Sequence, residues 1–488
     1  MAHCLGWRSL TALASARTDP KDRMAHPADE RTLVLFNHDF DQIAHRSLRA
    51  QWPQISAGFD LFAFPSQLRL AWFDIERFAA LQALRAQAQG CRAVVSHHEQ
   101  FGALTAALVA ERLGWPGTPV RAVLACQHKL YAREVLQQVC PQSNVPAQRW
   151  PANPGEAPLD YPLFAKPIKA AFSILAREVH DEAALRQLTG FGWWESMVLN
   201  RLSRPFERVV RSRLPEAGSA LGLMLERPVH APQFNLDGYV YKGDVRPLGV
   251  VDATMYPGTH AFMRFDYPSR LRPAVVARAA EIARRFLQAV GFDHGLFNME
   301  FFYDEECDEV SVIEFNPRLA SQFSDLYARV DGVNLHEVGL ALAHGRDPAE
   351  LQRRPATAQR ASSFVYRSFP GRRPLRTPRR SQRGLLSAAY PDALLVTYPR
   401  SAAQVARDQR WLGSCRHGIL NLGGADADDL ERRCEVASRL LGWTPPSAAW
   451  HPARTTRAPL QAATADAGDA LEHDGRSSPG SHSSRSLP

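Results

Sequence analysis

Short apolar runs alternate with longer amphipathic stretches along most of this chain, a rhythm that predicts strands followed by helices. TLVLF (32–36) and CRAVVS (91–96) read as buried strands. FGALTAALVAERLG (101–114) follows with apolar residues at helical spacing and Gly114 as its stop. That order predicts a small open parallel sheet over residues 31–125. HKLYAREVLQQV (128–139) reads as a further helix and LFAKP (163–167) as a strand. FNLDGYVYKGDVRPLGVVDATM (234–255) reads as a hairpin turning at Lys242-Gly243-Asp244. AVVARAAEIARRFLQAVG (274–291) is an amphipathic helix ended by Gly291, and a second hairpin over 296–316 follows it. Residues 385–447 add short strands and a helix at 427–442, read as a small third unit.

The second hairpin carries the clearest chemistry. In GLFNMEFFYDEECDEVSVIEFNPR two apolar strands flank an acidic turn, Asp304 to Glu309, and antiparallel pairing about that turn puts Glu300 almost opposite Glu314. Side chains alternate along a strand, so Asn298 and Glu300 share one face, while Val312, Glu314 and Asn316 share a side of the other strand. Phe297, Met299, Phe301, Ile313 and Phe315 make the surroundings apolar. Two facing carboxylates there repel unless one takes a proton or a cation sits between them. With no His or Cys alongside, a hard divalent ion such as magnesium suits the oxygen donors, with manganese as a substitute. A hairpin whose glutamates are simply solvated is the alternative. A magnesium site of this kind keeps waters and holds nucleotide phosphates, which calls for cations elsewhere. Lys166, at the end of an apolar strand, and Lys129, opening a helix, are candidates, with plain surface solvation as the other reading of each.

Composition narrows the class. At 488 residues the chain exceeds one ordinary core, and 45% hydrophobic with 22% charged residues is a globular composition. No run approaches the roughly 18 apolar residues of a membrane span. Seven dispersed cysteines without a C-x-x-C pair argue for a reducing cytoplasm, against a disulfide framework and against structural zinc. The formal net charge of +8 is concentrated in residues 351–383, which hold ten arginines and no acid. That run reads as a solvated, proline-punctuated linker, with contact to nucleic acid as the alternative. SHHEQ (96–100) follows a strand, where ligands bind in α/β sheets, yet adjacent histidines point apart and a solvated turn is the simpler reading. Residues 1–30 read as a disordered leader, and the small-residue tail from 448 to 488 cannot bury enough surface to fold.

Taken in order, these motifs resemble the ATP-grasp superfamily in its biotin-carboxylase-like branch. CQHKLYAREVL (126–136) resembles the family's first lysine motif, and FAKPIKAAFSILAREV (164–179) is similar to its KP…S…V strand–loop–strand. LMLERPVHAPQFNLDGYVYKGDV (223–245) resembles the adenine hinge and the hairpin after it, and FNMEFF with VIEFNPRLA matches the metal-binding strand pair. GSCRHGILNLGG (413–424) is similar to the branch's carboxyl-terminal strand region.

The resemblance implies an α/β protein, α+β in its nucleotide domain. It implies a parallel-sheet domain over 31–125, a nucleotide domain over 126–350, an arginine-rich linker over 351–384 and a small α+β domain over 385–447. Lys129, Lys166 and Ser173 would hold ATP phosphates. Glu226 and Val229 would form the adenine hinge, with His230 near the ribose, and Gln233 stands where Glu is common. Glu300, Glu314 and Asn316 would coordinate magnesium, and Arg318 would face the transferred phosphoryl group or the substrate carboxylate. The chain departs from the family in its phosphate-covering loop, KAAFS (169–173), which lacks glycines and offers the charge of Lys169 instead. Two prolines also interrupt the hinge ERPVHAP.

The chemistry implied is ADP-forming activation of a small-molecule carboxylate as an acyl phosphate, followed by attack of an amine, in the manner of amino-acid or peptide-like ligases. A carboxylase-type ligase shares the same motifs, and a nucleic-acid-binding or regulatory protein acting through the arginine run is the reading from another class. No membrane partner is expected, nucleic acid is not the expected partner, and a homo-oligomer is compatible with the sequence.

Overall fold

The computed structural model describes residues 30–59, 73–151, 159–169, 176–190, 193–372 and 374–447. The expected leader up to residue 29, the tail from 448, and the loop carrying Ser173 lie outside the described residues. Among the described residues no helix is long and apolar enough to cross a membrane.

The amino-terminal strands β1 (Arg31–Leu35), β2 (Gln54–Ala57) and β3 (Cys91–Val95) form a parallel sheet in the order β2-β1-β3, as the strand–helix rhythm predicts. Between and after them run α1 (Asp39–Leu48), α2 (Ile75–Ala88) and α3 (Gly102–Leu113). Leu33 and Leu35 pack against Ile75, Ala79, Leu104 and Leu108, so burial of one helix face on the sheet holds this unit together. Gly114 ends α3 at φ +63°, a left-handed conformation that glycine adopts without strain. Next come α4 (Val120–Gln127) and α5 (Lys129–Val139), with His128 capping α5 by accepting a hydrogen bond from the Tyr131 amide.

A four-stranded antiparallel sheet follows, made of β4 (Ala147–Trp150), β5 (Leu163–Pro167), β6 (Arg177–Val179) and, after helices α6 (Glu182–Thr189) and α7 (Trp193–Arg213), β7 (Leu223–Glu226). Its order is β4-β7-β5-β6. The two expected hairpins then appear as β8 (Gln233–Tyr241) with β9 (Asp244–Met255), and, after β10 (Phe262–Tyr267) and α8 (Pro273–Ala289), as β11 (Gly295–Asp304) with β12 (Glu309–Asn316). Lys242 and Gly243, both at positive φ, make the first turn. Helix α8 lies against the second hairpin, with the Phe286 and Phe315 rings stacked at 3.8 Å between centroids.

Beyond β12 lie α9 (Ser324–Val330), α10 (Leu335–Ala343), β13 (Arg360–Ser368), α11 (Arg380–Ala389), β14 (Leu394–Thr397), α12 (Ala402–Leu412), β15 (Cys415–Gly424) and α13 (Ala427–Leu441). Here two expectations need correction. The stretch read as an arginine-rich linker supplies β13, a mostly buried strand inside an eight-stranded sheet of order β12-β11-β8-β9-β10-β13-β15-β14. Consequently residues 385–447 do not build a sheet of their own; β14 and β15 extend the one that carries the second hairpin. The physical reason is that SSFVY within the arginines buries its apolar side chains, while Arg360 and Arg367 donate to the Pro268 and Phe262 carbonyls. A distinct apolar cluster, including Phe364, Tyr366, Leu420, Leu430 and Trp443, packs α13 onto these last strands.

Candidate active site

The second hairpin pairs Glu300 with Glu314, as alternation predicts, and places Asn298 opposite Asn316. A β-bulge interrupts the register, because Phe301 pairs with Val312 and leaves Ile313 without a partner residue. This corrects the expected face of Val312. It joins Phe301 and Phe315 in the core, whereas Glu314 and Asn316 remain on the side of Glu300. The bulge thus lets one short strand feed the core with Val312 and the site with Glu314.

An amide relay orders the floor of the site. Tyr327 donates to Asp237 (3.0 Å), Asn298 donates to the other oxygen of Asp237 (3.0 Å), and Asn316 donates to both Asn298 and Glu300 (3.2 Å each). Gln233, the first residue of β8, donates to Glu300 at 2.8 Å. Burial pushes Asp237 up to about 7 despite its two donors. Burial also raises Glu300, and Glu314 facing it adds to the rise. Glu314 goes the other way: burial opposes its charge, but Lys129 and Lys166 hold it below the usual carboxylate range.

The cations arrive from separate elements. Lys129, at the start of α5, lies 3.1 Å from Glu314. Lys166, on β5, lies 2.6 Å from Glu226 at the end of β7, and Arg133 on α5 reaches the other oxygen of Glu226 at 2.9 Å. Arg133 also donates to the Val312 and Ile313 carbonyls (2.5 and 3.1 Å), so one buried guanidinium ties α5, β7 and β12 together. Arg318, just past β12, is paired with Glu99 from the loop after β3. Lys169 lies 3.9 Å from the same carboxylate.

Most of the expected residues therefore meet. Lys129 pairs with Glu314, Lys166 with Glu226, and Gln233 and Asn316 both with Glu300, while Arg318 pairs with Glu99. Val229 and His230 lie in the connection between β7 and β8; His230 is largely exposed and 3.6 Å from Glu178. Sequence reasoning missed Arg133, although its spacing of four from Lys129 places both on one helix face. It also set aside Glu99 with the SHHEQ turn. That turn is not solvated: His97 and His98 are 7% and 1% exposed.

Behind Glu99 the two histidines join a buried group in which His45 stacks on His97 and His336 bonds Asp41 at 2.9 Å. Burial, with the neighbouring His336, pushes His45 from its ordinary 6.5 to about 4, and burial with His38 pushes His98 to about 3. A histidine whose folded value is lowered leaves the unfolded chain to take up protons first. The stability it contributes is intact above about pH 6.5 and is lost as pH falls toward the folded values, by about 1.4 kcal/mol per pH unit for each histidine. Melting temperature will accordingly drop steeply between neutral pH and pH 5, and His45→Gln will flatten that slope. A melting temperature constant over this interval contradicts the assignment.

No protein-family model matches the sequence, and no curated protein matches it. Solved structures share its fold. An L-amino acid ligase from Bacillus licheniformis superposes at a TM-score of 0.63 with 16% identity, over 84% of this chain and 96% of that one. N5-carboxyaminoimidazole ribonucleotide synthetase from Thermus thermophilus gives 0.54 and 16%, over 86% and 100% of the two chains. A biotin carboxylase from Campylobacter jejuni, in complex with β-γ-ATP, gives 0.53 and 15%, over 84% and 91%. The chain shares the fold of these structures, over 84–86% of its length.

Proposed function

We propose that this protein is an ATP-dependent, ADP-forming ligase that activates a small-molecule carboxylate as an acyl phosphate and joins it to an amine. The observation that carries the reading is the facing pair Glu300 and Glu314, in a partly buried site flanked by Lys129 and Lys166. The fold shared with the Bacillus licheniformis L-amino acid ligase supports the amino-acid direction.

The donors suit magnesium. Burial and Glu314 push Glu300 toward its neutral form, a deficit of positive charge that a divalent ion relieves. Among the described residues no three His, Cys, Asp or Glu side chains gather for a metal. The chain's own donors are then Glu300, Glu314 and Asn316, and phosphate and water complete the set. Bound there, magnesium supplies charge neutralisation for phosphoryl transfer.

The chain's residues do the rest. Lys129 and Lys166 exchange their glutamate partners for phosphate oxygens, the role that the resemblance also gives to Ser173. Glu226 is occupied by Lys166 and Arg133, so the hinge reads adenine through its backbone up to Val229, with His230 near the ribose and Gln233 steadying Glu300. Arg318 presents its fork to the carboxylate or the transferred phosphoryl group. This is positioning and electrostatics, without a covalent protein nucleophile. The six described cysteines are free, as suits a reducing cytoplasm. Arg360 and Arg367 serve the sheet, which weakens the nucleic-acid reading.

A screen of amino acids and amines for ADP release tests the proposal. Release that requires both an acid and an amine is expected; no ADP with any pair, in protein shown to bind ATP, contradicts it. Release that requires bicarbonate and biotin instead identifies a carboxylase.

A further inference from the structure

Lys169, which the sequence offers as a charge for the phosphates, is buried and pairs instead with Glu99 beside Arg318, which leaves its amine another task. It follows β5 by two residues, and its side chain is 1% exposed. Its Nζ lies 4.9 Å from the Phe206 ring centroid and 3.9 Å from Glu99 Oε1, and Arg318 engages the other oxygen of that carboxylate. Glu99 therefore serves two cations at once and neutralises neither fully. The other charged groups facing Lys169 are Lys129 from α5, Arg318 after β12 and Glu314 from β12, and His98 stands beside Glu99 in the same loop. A lysine so dehydrated, half-partnered and crowded by cations gives up its proton readily. Burial first, offset in part by Glu99, brings it down to about 8.

The position relative to Arg318 gives this amine a use. The ligase chemistry has two halves, and the second needs a base, because an ammonium ion has no lone pair with which to attack. We propose that Lys169 is the general base for the incoming amine, taking one proton from its ammonium group before the nitrogen attacks the acyl phosphate. The freed lone pair forms the C–N bond to the acyl carbon. The C–O bond to phosphate breaks, and phosphate leaves with the electron pair. The second proton lost from nitrogen passes to the departing phosphate, and Lys169 returns its own proton to solvent. Glu99, touching both Lys169 and Arg318, is placed to hold the ammonium group while this happens. The inference rests on the ligase reading, and its chemistry belongs to the place where this chain carries lysine in a glycine-poor loop.

Hydroxylamine separates base catalysis from charge. It is neutral near physiological pH and attacks acyl phosphates without losing a proton first. With pooled common L-amino acids as both acids and amines, ADP release reports amide formation; with excess hydroxylamine, hydroxamate reports the acyl phosphate. Lys169→Arg keeps the positive charge and loses the base. It should lower amide-linked ADP release by roughly 100-fold or more, while hydroxamate formation stays within about threefold. Wild-type amide formation should rise through about pH 8 and hydroxamate formation should not, a limb that the variant lacks. Lys169→Met, with binding of a nonhydrolysable ATP analogue as the folding control, should show the same split between nucleophiles. Full amide formation by Lys169→Arg, or equal loss with both nucleophiles in folded variants, overturns the inference alone. Absence of hydroxamate with wild-type protein overturns the ligase reading and the inference together.

Discussion

Replacing Glu300 and Glu314 together by glutamine will abolish ATP consumption and leave the fold in place. Glutamine keeps the volume of each side chain and removes its charge. In the metal-free protein the exchange at Glu300 is close to neutral for stability, because burial and the facing Glu314 already drive it toward its uncharged form, whereas the exchange at Glu314 gives up a charge that Lys129 and Lys166 stabilise. Lys129 gives up its contact with Glu314, and its side chain, 14% exposed, still reaches water. For catalysis the same exchange removes both proposed anionic metal donors from a partly buried site, where such charges weigh more than in open water. The expected fall in ADP formation is at least roughly a thousandfold. Circular dichroism and melting curves will verify the fold, and coupled ADP release will measure the loss. Turnover within tenfold of wild type would show that the hairpin carboxylates have no part in the reaction.

Glu226→Gln will have the opposite signature, destabilising the protein outright. Glu226 is the counter-charge of both Lys166 and Arg133, and all three are buried. Neutralising it strands two cations away from water, a cost of about 3–5 kcal/mol. The melting temperature should fall on the order of 10 °C. Glu182→Gln is the control, since its pair with Arg186 is 56% and 72% exposed and solvent screens it. Equal melting temperatures for the two variants would mean that the Glu226 network does not hold the hinge to β12.

These two outcomes also mark what the sequence could and could not disclose. The hairpin was legible because alternation, an acidic turn and a symmetric length set the register of Glu300 and Glu314 without any tertiary information. The bulge was not. One extra residue at Ile313 leaves the apolar pattern VSVIEF unchanged and shows only in the pairing. β13 was hidden for a different reason: arginine and proline on either side swamp the signal of SSFVY, and only the partners β10 and β15 reveal that the segment is interior. Glu99 was legible as a residue at the carboxyl end of a parallel strand but not as the partner of Arg318, since 219 residues separate them. Lys129 and Lys166 were found by their order along the chain, while the carboxylates that hold each lysine follow from the packing of β7 against β5 and of α5 against β12.

The most direct test titrates Mn2+ into the protein with a nonhydrolysable ATP analogue and follows the free ion by spin resonance, in wild type and in the Glu300→Gln, Glu314→Gln double variant. Nucleotide-dependent Mn2+ uptake by the wild type, lost in the variant, is the predicted result. Equal uptake by both proteins would contradict the role assigned to the facing carboxylates.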